Sequence, residues 1–425
     1  MREMKDSGVE WVGQIPKLWA IKPIRADFQE VTEKNKNGLV QNALKFTYGT
    51  IVQKQNFDAD SDDYVAGTIL GYTIVSPGDI VLNGLNLNYD FVSQRIGIVK
   101  EIGIITSAYL VFRKKLNSEI LPEFINYLLK AYDNCKAFHN IGGGVRKIIN
   151  FSELKKQYIV YPDLKSQRQI VELLDAKCAE IDALTADIQA QIDTLEQYKR
   201  SVITEAVTKG LDPDAEMRDS GIDFIGDVPA HWAIHRLYYY FGERRNQNIQ
   251  GLETNLLSLS YGKIIRKDID SKEGLLPESF NTYNIIEAGD IIIRPTDLQN
   301  DKRSLRTGLA KERGIITSAY IALRPIKPIN TTYFHYLLHA FDVMKVFYNM
   351  GNGVRQGLNF SEFSRLMVVE PPKEEQNAIV ETLDKKCAEI DTTIADKRQQ
   401  LQTLADYKKS LIFEYVTGKK KVPAS

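Results

Sequence analysis

The sequence predicts an α+β fold made of two related halves, each with a globular part of mixed helices and strands followed by one long helix. Three observations support this prediction: an ordered internal repeat, short apolar runs separated by turn residues, and apolar heptads in two long stretches. We expect globular parts at 1–162 and 211–371, a helix at 163–210, and a second helix with a basic tail at 372–425.

Segments of the first half return in the same order in the second half. MKDSGVEWVG at 4–13 is similar to MRDSGIDFIG at 217–226, and GIITSAY at 103–109 recurs unchanged at 314–320. KCAEID at 177–182 likewise recurs at 386–391. The chain therefore contains two copies of one unit, and we expect two related sites placed by a pseudo-two-fold axis.

Each globular part contains turn signals between apolar runs. Pro77-Gly78-Asp79 and Ala288-Gly289-Asp290 separate β-branched segments, a pattern typical of a tight turn between strands. Amphipathic helices are predicted over 121–137 and 331–348.

Apolar residues recur every seventh position in both long stretches, which predicts a coiled coil, with Lys397 as the exception. An ordinary packed helix is the alternative. Because the second helix starts from the globular part at which the first one ends, chain connectivity favours antiparallel pairing. We expect Ile170, Leu184, Ile192 and Tyr198 to fill the alternate seam positions. The predicted main seam residues are Leu174, Ile181, Ile188, Leu195, Val202, Leu383, Ile390, Leu404 and Leu411.

Composition limits the functional classes. Lys+Arg and Asp+Glu each number 55, and this zero net charge counts against non-specific coating of nucleic acid but permits local basic patches. No apolar run approaches the roughly 18–20 residues of a membrane span. The start of the chain lacks a signal-peptide core, and three cysteines fit a reducing compartment, so we expect a cytoplasmic protein.

Motifs for catalysis are missing from the sequence. It contains no Walker-type phosphate loop, no Gly-x-Gly-x-x-Gly after a strand, no Asn-Pro-Pro-Tyr and no Gly-x-Ser-x-Gly elbow. Asp163 lies in a segment similar to part of a nuclease motif, but a helix start explains it better. His335 and His339 have the spacing of zinc ligands on a helix, yet packing on an amphipathic helix is the preferred interpretation. We therefore predict neither a catalytic residue nor a metal site.

Three pairs of segments are candidates for binding a polyanion: 83–100 with 294–311, 141–147 with 350–356, and 48–54 with 261–267. Arginine, asparagine and glutamine can read base edges, and lysine can hold phosphates. Solvated loops and a glycine-rich helix end are the alternatives. The candidate DNA-binding residues are Asn83, Asn86, Asn88, Arg95, Lys100, Arg146, Lys147, Lys263, Arg266, Arg294, Lys302, Arg303, Arg306, Lys311 and Arg355.

The first pair of segments shares a frame but differs in content. Arg95, Gly97 and Lys100 match Arg306, Gly308 and Lys311, whereas the residues before them differ. This pattern predicts one scaffold that carries two different recognition loops. We expect Arg306→Ala to impair one half of a DNA site and Arg95→Ala the other.

Several of these segments together resemble the DNA specificity subunits of type I restriction–modification systems. The resemblance is carried by the opening KDSGVEWVG, by the second copy ending at Pro229-Ala230-His231-Trp232, and by the Pro-Gly-Asp-Ile turn. The Gly-Val-Arg loops and the Gln-x-x-Ile-x-x-x-Leu-Asp helix starts at Gln167 and Gln376 extend it over essentially the whole chain.

The resemblance implies a non-catalytic subunit in which two target recognition domains each read one half of an asymmetric bipartite DNA site. It further implies that the helices set the spacer and dock two methyltransferase subunits, which methylate adenine using S-adenosylmethionine. This chain would itself bind no cofactor, and ATP-dependent restriction subunits would be further partners. A coiled-coil assembly scaffold that binds only proteins is the alternative function.

Overall fold

The computed structural model describes residues 2–54, 69–85, 94–141, 148–270, 279–296, 305–350 and 357–423. The chain divides into two units: unit 1 is Met1–Ile188 with Gln399–Ser425, and unit 2 is Gln189–Arg398. The division falls inside the two long helices because each globular part packs against a segment of both. The sequence-based boundaries at 162, 210 and 371 stay predictions.

Short strands make up most of each globular part. In unit 1 they are β1 Met4–Asp6, β2 Gln14–Pro16, β3 Ala20–Pro23, β4 Phe28–Glu30, β5 Leu44–Thr47, β6 Thr50–Gln53, β7 Thr73–Val75, β8 Ile80–Leu82, β9 Ile96–Ile98, β10 Gly103–Ile105, β11 Leu110–Lys114 and β12 Tyr158–Tyr161. In unit 2 they are β13 Met217–Asp219, β14 Asp227–Pro229, β15 Ala233–Arg236, β16 Phe241–Glu243, β17 Leu257–Ser260, β18 Lys263–Arg266, β19 Asn284–Ile286, β20 Ile291–Ile293, β21 Thr307–Leu309, β22 Gly314–Ile316, β23 Ile321–Pro325 and β24 Met367–Glu370.

Helices complete the two units, with the long pair running through both. The helices are α1 Ile24–Asp27, α2 Pro122–Asn134, α3 Phe151–Leu154, α4 Leu164–Lys209, α5 Thr331–Val343, α6 Phe360–Phe363 and α7 Lys373–Val416, with 3₁₀ turns at Ala137–Asn140, Leu237–Tyr239 and Val346–Asn349. No helix in the described part of the chain is long and apolar enough to cross a lipid bilayer.

The strands pair in the same way in both units. Unit 1 has a four-stranded antiparallel sheet in the order β4-β11-β8-β9, and unit 2 repeats it as β16-β23-β20-β21. Two-stranded pairs accompany each sheet, among them the hairpins β5–β6 and β17–β18. The predicted duplication and the mixed α and β content are therefore confirmed.

The predicted Pro-Gly-Asp turn forms, but it joins strands of two different sheets. Gly78 has φ +90° and Gly289 has φ +92°, values that favour glycine. Strand β7 pairs with β10, whereas β8 pairs with β9 and β11. The carboxylate of Asp79 closes the turn by accepting the Ser76 N–H at 2.8 Å.

Helix α2 covers one face of the unit 1 sheet. Pro122 stands at its start, where a missing N–H removes no helical hydrogen bond. Phe124, Leu128 and Tyr132 follow at helical spacing and are buried against the sheet. The helix ends earlier than predicted because Lys136 adopts a left-handed conformation, with φ +59°, before a 3₁₀ turn.

The two long helices lie where the heptads predicted them. Six of the nine main seam residues are buried, and Leu195, Val202 and Leu404 are half-buried. The predicted alternate seam is wrong in part, since Leu184 is 47% exposed and Tyr198 is 53% exposed. A second column of buried residues lies four residues after several main positions. In α4 it contains the buried Cys178 and Ile192 and the half-buried Thr185, and in α7 it contains the buried Cys387 and Ile394.

Polar contacts join segments of α4 and α7 within each unit. In unit 2, Lys199 pairs with Asp391 at 2.7 Å and Glu196 pairs with Arg398 at 3.0 Å. In unit 1, Asp182 pairs with Lys408 at 2.5 Å. Lys199 and Asp182 are the repeat equivalents of Lys408 and Asp391, so one ion pair occurs twice.

The repeated opening segment packs against the end of a long helix. In unit 1 the α7 helix ends at Val416 and is followed by Gly418, which has φ +71° and lies against Pro16 and Trp19. Lys419 then donates to the Val12 carbonyl at 2.7 Å. In unit 2 the α4 helix ends at Gly210, which lies against Trp232 in the same way.

We predict that Gly418→Ala lowers the free energy of unfolding by about 1 kcal/mol through backbone strain and by a further ~1–3 kcal/mol through steric overlap. A methyl group there would lie 2.5 Å from Pro16 Cδ. Gly8→Ala is the matched control, since Gly8 has φ +66° but no heavy atom within 4 Å of the added carbon. Urea denaturation of both variants measures the difference, and equal losses would contradict the packing described for Gly418.

Candidate nucleic-acid interface

Residues of two polyanion-binding candidates and the residues that follow the third meet at one edge of unit 1. The Ile149 N–H, just after the Gly-rich segment, donates to the Gly84 carbonyl at 3.1 Å. The tip of the β5–β6 hairpin lies beside the same loop, because a carbon added to Gly49 would stand 3.7 Å from Gln94 Cβ. We call this surface the loop edge of unit 1, formed by Tyr48–Gly49, Asn83–Leu85, Gln94–Arg95 and Ile148–Ile149.

Unit 2 brings the corresponding residues together in the same arrangement. The Leu358 N–H donates to the Pro295 carbonyl at 3.0 Å, and Gly262 lies against Leu305. The loop edge of unit 2 is formed by Tyr261–Gly262, Arg294–Thr296, Leu305–Arg306 and Gly357–Leu358. Segments that are far apart in the sequence therefore form one surface in each unit.

The two matched arginines lie inside the loop edge rather than on it. Arg95 is 7% exposed and Arg306 is 1% exposed. The Arg95 guanidinium donates to the carbonyls of Asn83 and Leu85 at 2.9 and 2.7 Å, and Arg306 donates to those of Arg294 and Thr296.

Each buried arginine also fixes the loop to a helix. The Arg95 N–H donates to Asp133 Oδ2 at 2.8 Å, and the Arg306 N–H donates to Asp342 Oδ2 at 2.7 Å. Both aspartates are buried near the ends of α2 and α5. The base contact predicted for Arg95 and Arg306 does not agree with these positions, because both side chains are buried and donate to carbonyls of their own unit. We assign both residues a positioning role.

The matched glycines mark where the hairpin packs on the sheet. A carbon added to Gly97 would lie 3.1 Å from Ile51 Cγ1 and 3.2 Å from Phe46. In unit 2 a carbon on Gly308 would lie 2.6 Å from Leu259 Cδ1. The inner face of each hairpin is thus fixed by close contact with a glycine on the sheet, and its outer face points to solvent.

The other predicted residues differ in accessibility. Lys100, Lys263 and Lys311 are exposed, and Asn83 and Arg294 are half-buried. Seven more predicted residues lie outside the described part of the chain: Asn86, Asn88, Arg146, Lys147, Lys302, Arg303 and Arg355.

Arg266 is exposed but not available as a free cation. Its Nε donates to Glu312 Oε1 at 2.8 Å. The hydrogen bond from Arg266 lowers the pKa of the Glu312 carboxyl, so this group stays ionised and offsets one positive charge of the predicted basic stripe.

Sequence reasoning missed a lysine cluster beside the loop edge of unit 1. The Lys130 Cε lies 3.8 Å from a carbon added to Gly49. Burial lowers the pKa of the Lys130 ammonium, and the charges of Lys408 and Lys100 lower it further. The three lysines come from separate parts of the chain, so no local motif could have shown the cluster.

Unit 2 has imidazoles on the equivalent helix. His335 and His339 lie on α5 with ring centroids 6.4 Å apart. Burial lowers the pKa of each imidazole to about 4, with a smaller contribution from Lys199 and Arg200 at His339. Among the described residues no group of three or more histidine, cysteine, aspartate or glutamate side chains could hold a metal ion.

A family model described as "Type I restriction modification DNA specificity domain" matches residues 31–194 and 274–403. The chain belongs to this family of DNA specificity subunits. It carries two target recognition domains, and DNA binding follows from membership of the family. The class of subunit that the sequence resembled is therefore confirmed.

A solved structure shares the fold of this chain. The chain is similar to a structure titled "Structural basis underlying complex assembly andconformational transition of the type I R-M system", with a TM-score of 0.69, 15% identity, and coverage of 96% of this chain and 99% of that one. A crystal structure of the HsdS subunit from Thermoanaerobacter tengcongensis gives a TM-score of 0.49 at 15% identity, covering 96% and 98% of the two chains. No curated protein matches the sequence.

We predict that substitutions of two neighbouring cations of unit 1 change different properties: Arg95→Ala changes stability, and Lys100→Ala changes DNA binding. Arg95→Ala should lower the free energy of unfolding by about 2 kcal/mol, because the carbonyls of Asn83 and Leu85 then lose their buried guanidinium donor. Lys100→Ala should change stability by less than about 0.5 kcal/mol, since its side chain is exposed. Lys100→Ala should also reduce the slope of the logarithm of the DNA association constant against the logarithm of the salt concentration by about one. Thermal unfolding and salt titration measure the two effects, and an unchanged stability in Arg95→Ala would contradict the positioning role.

The depressed pKa values of the α5 imidazoles predict acid sensitivity of unit 2. Below about pH 6.5 an unfolded histidine binds a proton that the folded imidazole, with a pKa of about 4, does not, so stability falls as the pH drops from 6.5 to 4. His335→Asn installs the residue that unit 1 has at the equivalent Asn126. The fall in melting temperature between pH 7 and pH 5 should be smaller in this variant, whereas both proteins should respond alike between pH 8 and pH 7. An unaltered fall would show that His335 titrates normally.

Proposed function

We propose that this chain is the non-catalytic specificity subunit of a type I restriction–modification complex, in which each recognition domain reads one half of an asymmetric bipartite DNA site. The observation that carries the proposal is the loop edge. Both units build it on the same buried arginine and the same glycine contact, but they place different side chains on its surface. Two readers of this kind suit a target whose halves differ in sequence.

Exposed positive charges near the loop edges are suited to binding the phosphates of a DNA duplex. Lys100 and Lys311 are exposed cations at equivalent positions, and contacts of this type hold phosphates and set register. Base discrimination would come from the polar side chains of the candidate segments 83–100 and 294–311.

We further propose that α4 and α7 form an antiparallel coiled coil that sets the spacer and docks two methyltransferase subunits. Support comes from the buried seams and from the Lys–Asp pair that recurs in both units. In unit 2, Glu196 pairs with Arg398 and Lys199 pairs with Asp391. Residue numbers therefore fall along α7 as they rise along α4, as expected for antiparallel segments. The similar structure concerns assembly of a type I system, which favours such partners.

The chemistry would belong to those partners. We propose that S-adenosylmethionine binds to the methyltransferase subunits, that this chain binds no cofactor, and that ATP-dependent restriction subunits join the complex in a system that cleaves DNA. Cytoplasmic location is part of the same proposal, since the DNA target and both cofactors are available there.

Selection from a randomised duplex library tests the function. The full chain, assembled with the methyltransferase of its own system, should enrich duplexes with two different half-sites at a fixed separation. S-adenosylmethionine should then yield methyladenine in both half-sites. Enrichment of no sequence by a correctly assembled complex would favour the assembly scaffold instead.

We predict that duplicating one heptad in both helices, residues 188–194 and 397–403, lengthens the preferred spacer. Seven residues add roughly 10 Å at about 1.5 Å each, which corresponds to about three base pairs at 3.4 Å. The half-sites themselves should stay the same. Duplication in α4 alone is the control, and it should lower the melting temperature because the seam positions no longer face each other. An unchanged spacer after the double insertion would contradict the spacing role.

A further inference from the structure

The β5–β6 and β17–β18 hairpins have an aromatic residue in an unfavourable conformation at the tip. Tyr48 and Gly49 connect β5 to β6 with φ +43° and +76°, and Tyr261 and Gly262 connect β17 to β18 with φ +46° and +76°. Two positive φ angles define a type I′ turn, whose first position favours asparagine, aspartate or glycine. A tyrosine there is strained, and the surrounding structure must stabilise the turn.

Both tyrosine side chains remain largely exposed in this strained turn. The Tyr48 residue is 75% exposed and Tyr261 is 69% exposed. The adjoining glycines face inward instead, where Gly49 approaches Gln94 and Gly262 approaches Leu305. Each hairpin therefore holds an aromatic side chain outward at its loop edge, and it does so in both units.

The outer face of each hairpin continues this accessible surface. Val52 and Ile265 occupy equivalent outward positions and are exposed despite being apolar. Lys263 stands between the tip and Ile265 and is exposed as well. The inner face is held by Gly97 and Gly308, so the hairpin is a supported projection and not a free loop.

A supported two-stranded ribbon has the width that the major groove of B-DNA admits. A tyrosine at its tip combines an apolar ring, which can contact a thymine methyl group or a sugar, with a hydroxyl that can donate to a phosphate. We propose that Tyr48 and Tyr261 are DNA-contacting residues, each inserted by its hairpin into the major groove of the half-site that its unit reads. This inference rests on the proposed function and adds the residues that enter the groove.

Tyr48→Asn and Tyr261→Asn separate a binding role from a structural one. Asparagine adopts the left-handed conformation readily, so each variant should fold with a melting temperature equal to or above that of the wild type. The affinity for the duplex enriched by the wild-type complex should nevertheless fall about tenfold or more. A residue with a merely structural role would not lose binding while stability is kept.

The readout is fluorescence anisotropy with three duplexes: the enriched sequence and two versions with one half-site scrambled. Tyr48→Asn should remove discrimination at one half-site and Tyr261→Asn at the other. Tyr158→Asn is the matched control, because Tyr158 is an exposed tyrosine on β12 and should leave affinity within about twofold of the wild type.

The possible failures are distinguishable. If the wild-type complex enriches no duplex, the proposed function and this inference both fail. If the wild type binds its site and both tip variants bind it equally well, the inference alone is wrong. Loss of methyltransferase co-purification without loss of DNA affinity would also overturn it, since the tips would then contact a protein.

Discussion

One buried guanidinium in each unit determines where the recognition loops begin. Arg95 and Arg306 bind the carbonyls at the stem of their loop and, through their own N–H, an aspartate near the end of a helix. The carbonyls replace the water that this cation lost on burial. Breaking these contacts would leave an uncompensated buried charge, which is strongly unfavourable. The same contacts are kept in both units although the sequences that follow Leu85 and Thr296 differ.

A buried aspartate in the turn of each unit is paired with an arginine, but the arginine comes from a different position in the two units. The turn aspartate is buried in both units, as Asp79 and Asp290. Arg113 of β11 binds Asp79 at 2.6 Å in unit 1, whereas Arg244, which follows β16, binds Asp290 in unit 2. Burial raises the pKa of the Asp290 carboxyl, and its hydrogen bond with Arg244 opposes that rise. The duplicated units thus neutralise the same buried aspartate with arginines from different positions.

Features with a local signal in the sequence were predictable. The duplication, the tight turns and the positions of α4 and α7 follow from repeats, glycines and heptads, which act over a few residues. Features that depend on distant partners were not predictable. Arg95 lies in a polar segment, and its acceptor Asp133 is 38 residues away, so its burial has no local sign. The second seam column was ambiguous because positions three and four residues from each main position are both neighbours on a helix, and Leu184 is more apolar than Thr185.

The candidate surface was likewise predictable only where the sequence carries a local signal. The sequence identified the segments of both loop edges, since polar and glycine-rich runs recur in both halves. It could not indicate that Tyr48 and Tyr261 are held outward, because a positive φ at a tyrosine is set by the strands on either side.

The glycine contact on the inner face of each hairpin separates selection for folding from selection for DNA recognition. Gly97 and Gly308 anchor the inward side, so folding depends on a few atoms that never reach solvent. Outward substitutions leave those atoms untouched and are nearly neutral for stability. Lineages of such proteins can therefore drift to new DNA targets one surface mutation at a time, without passing through an unfolded ancestor.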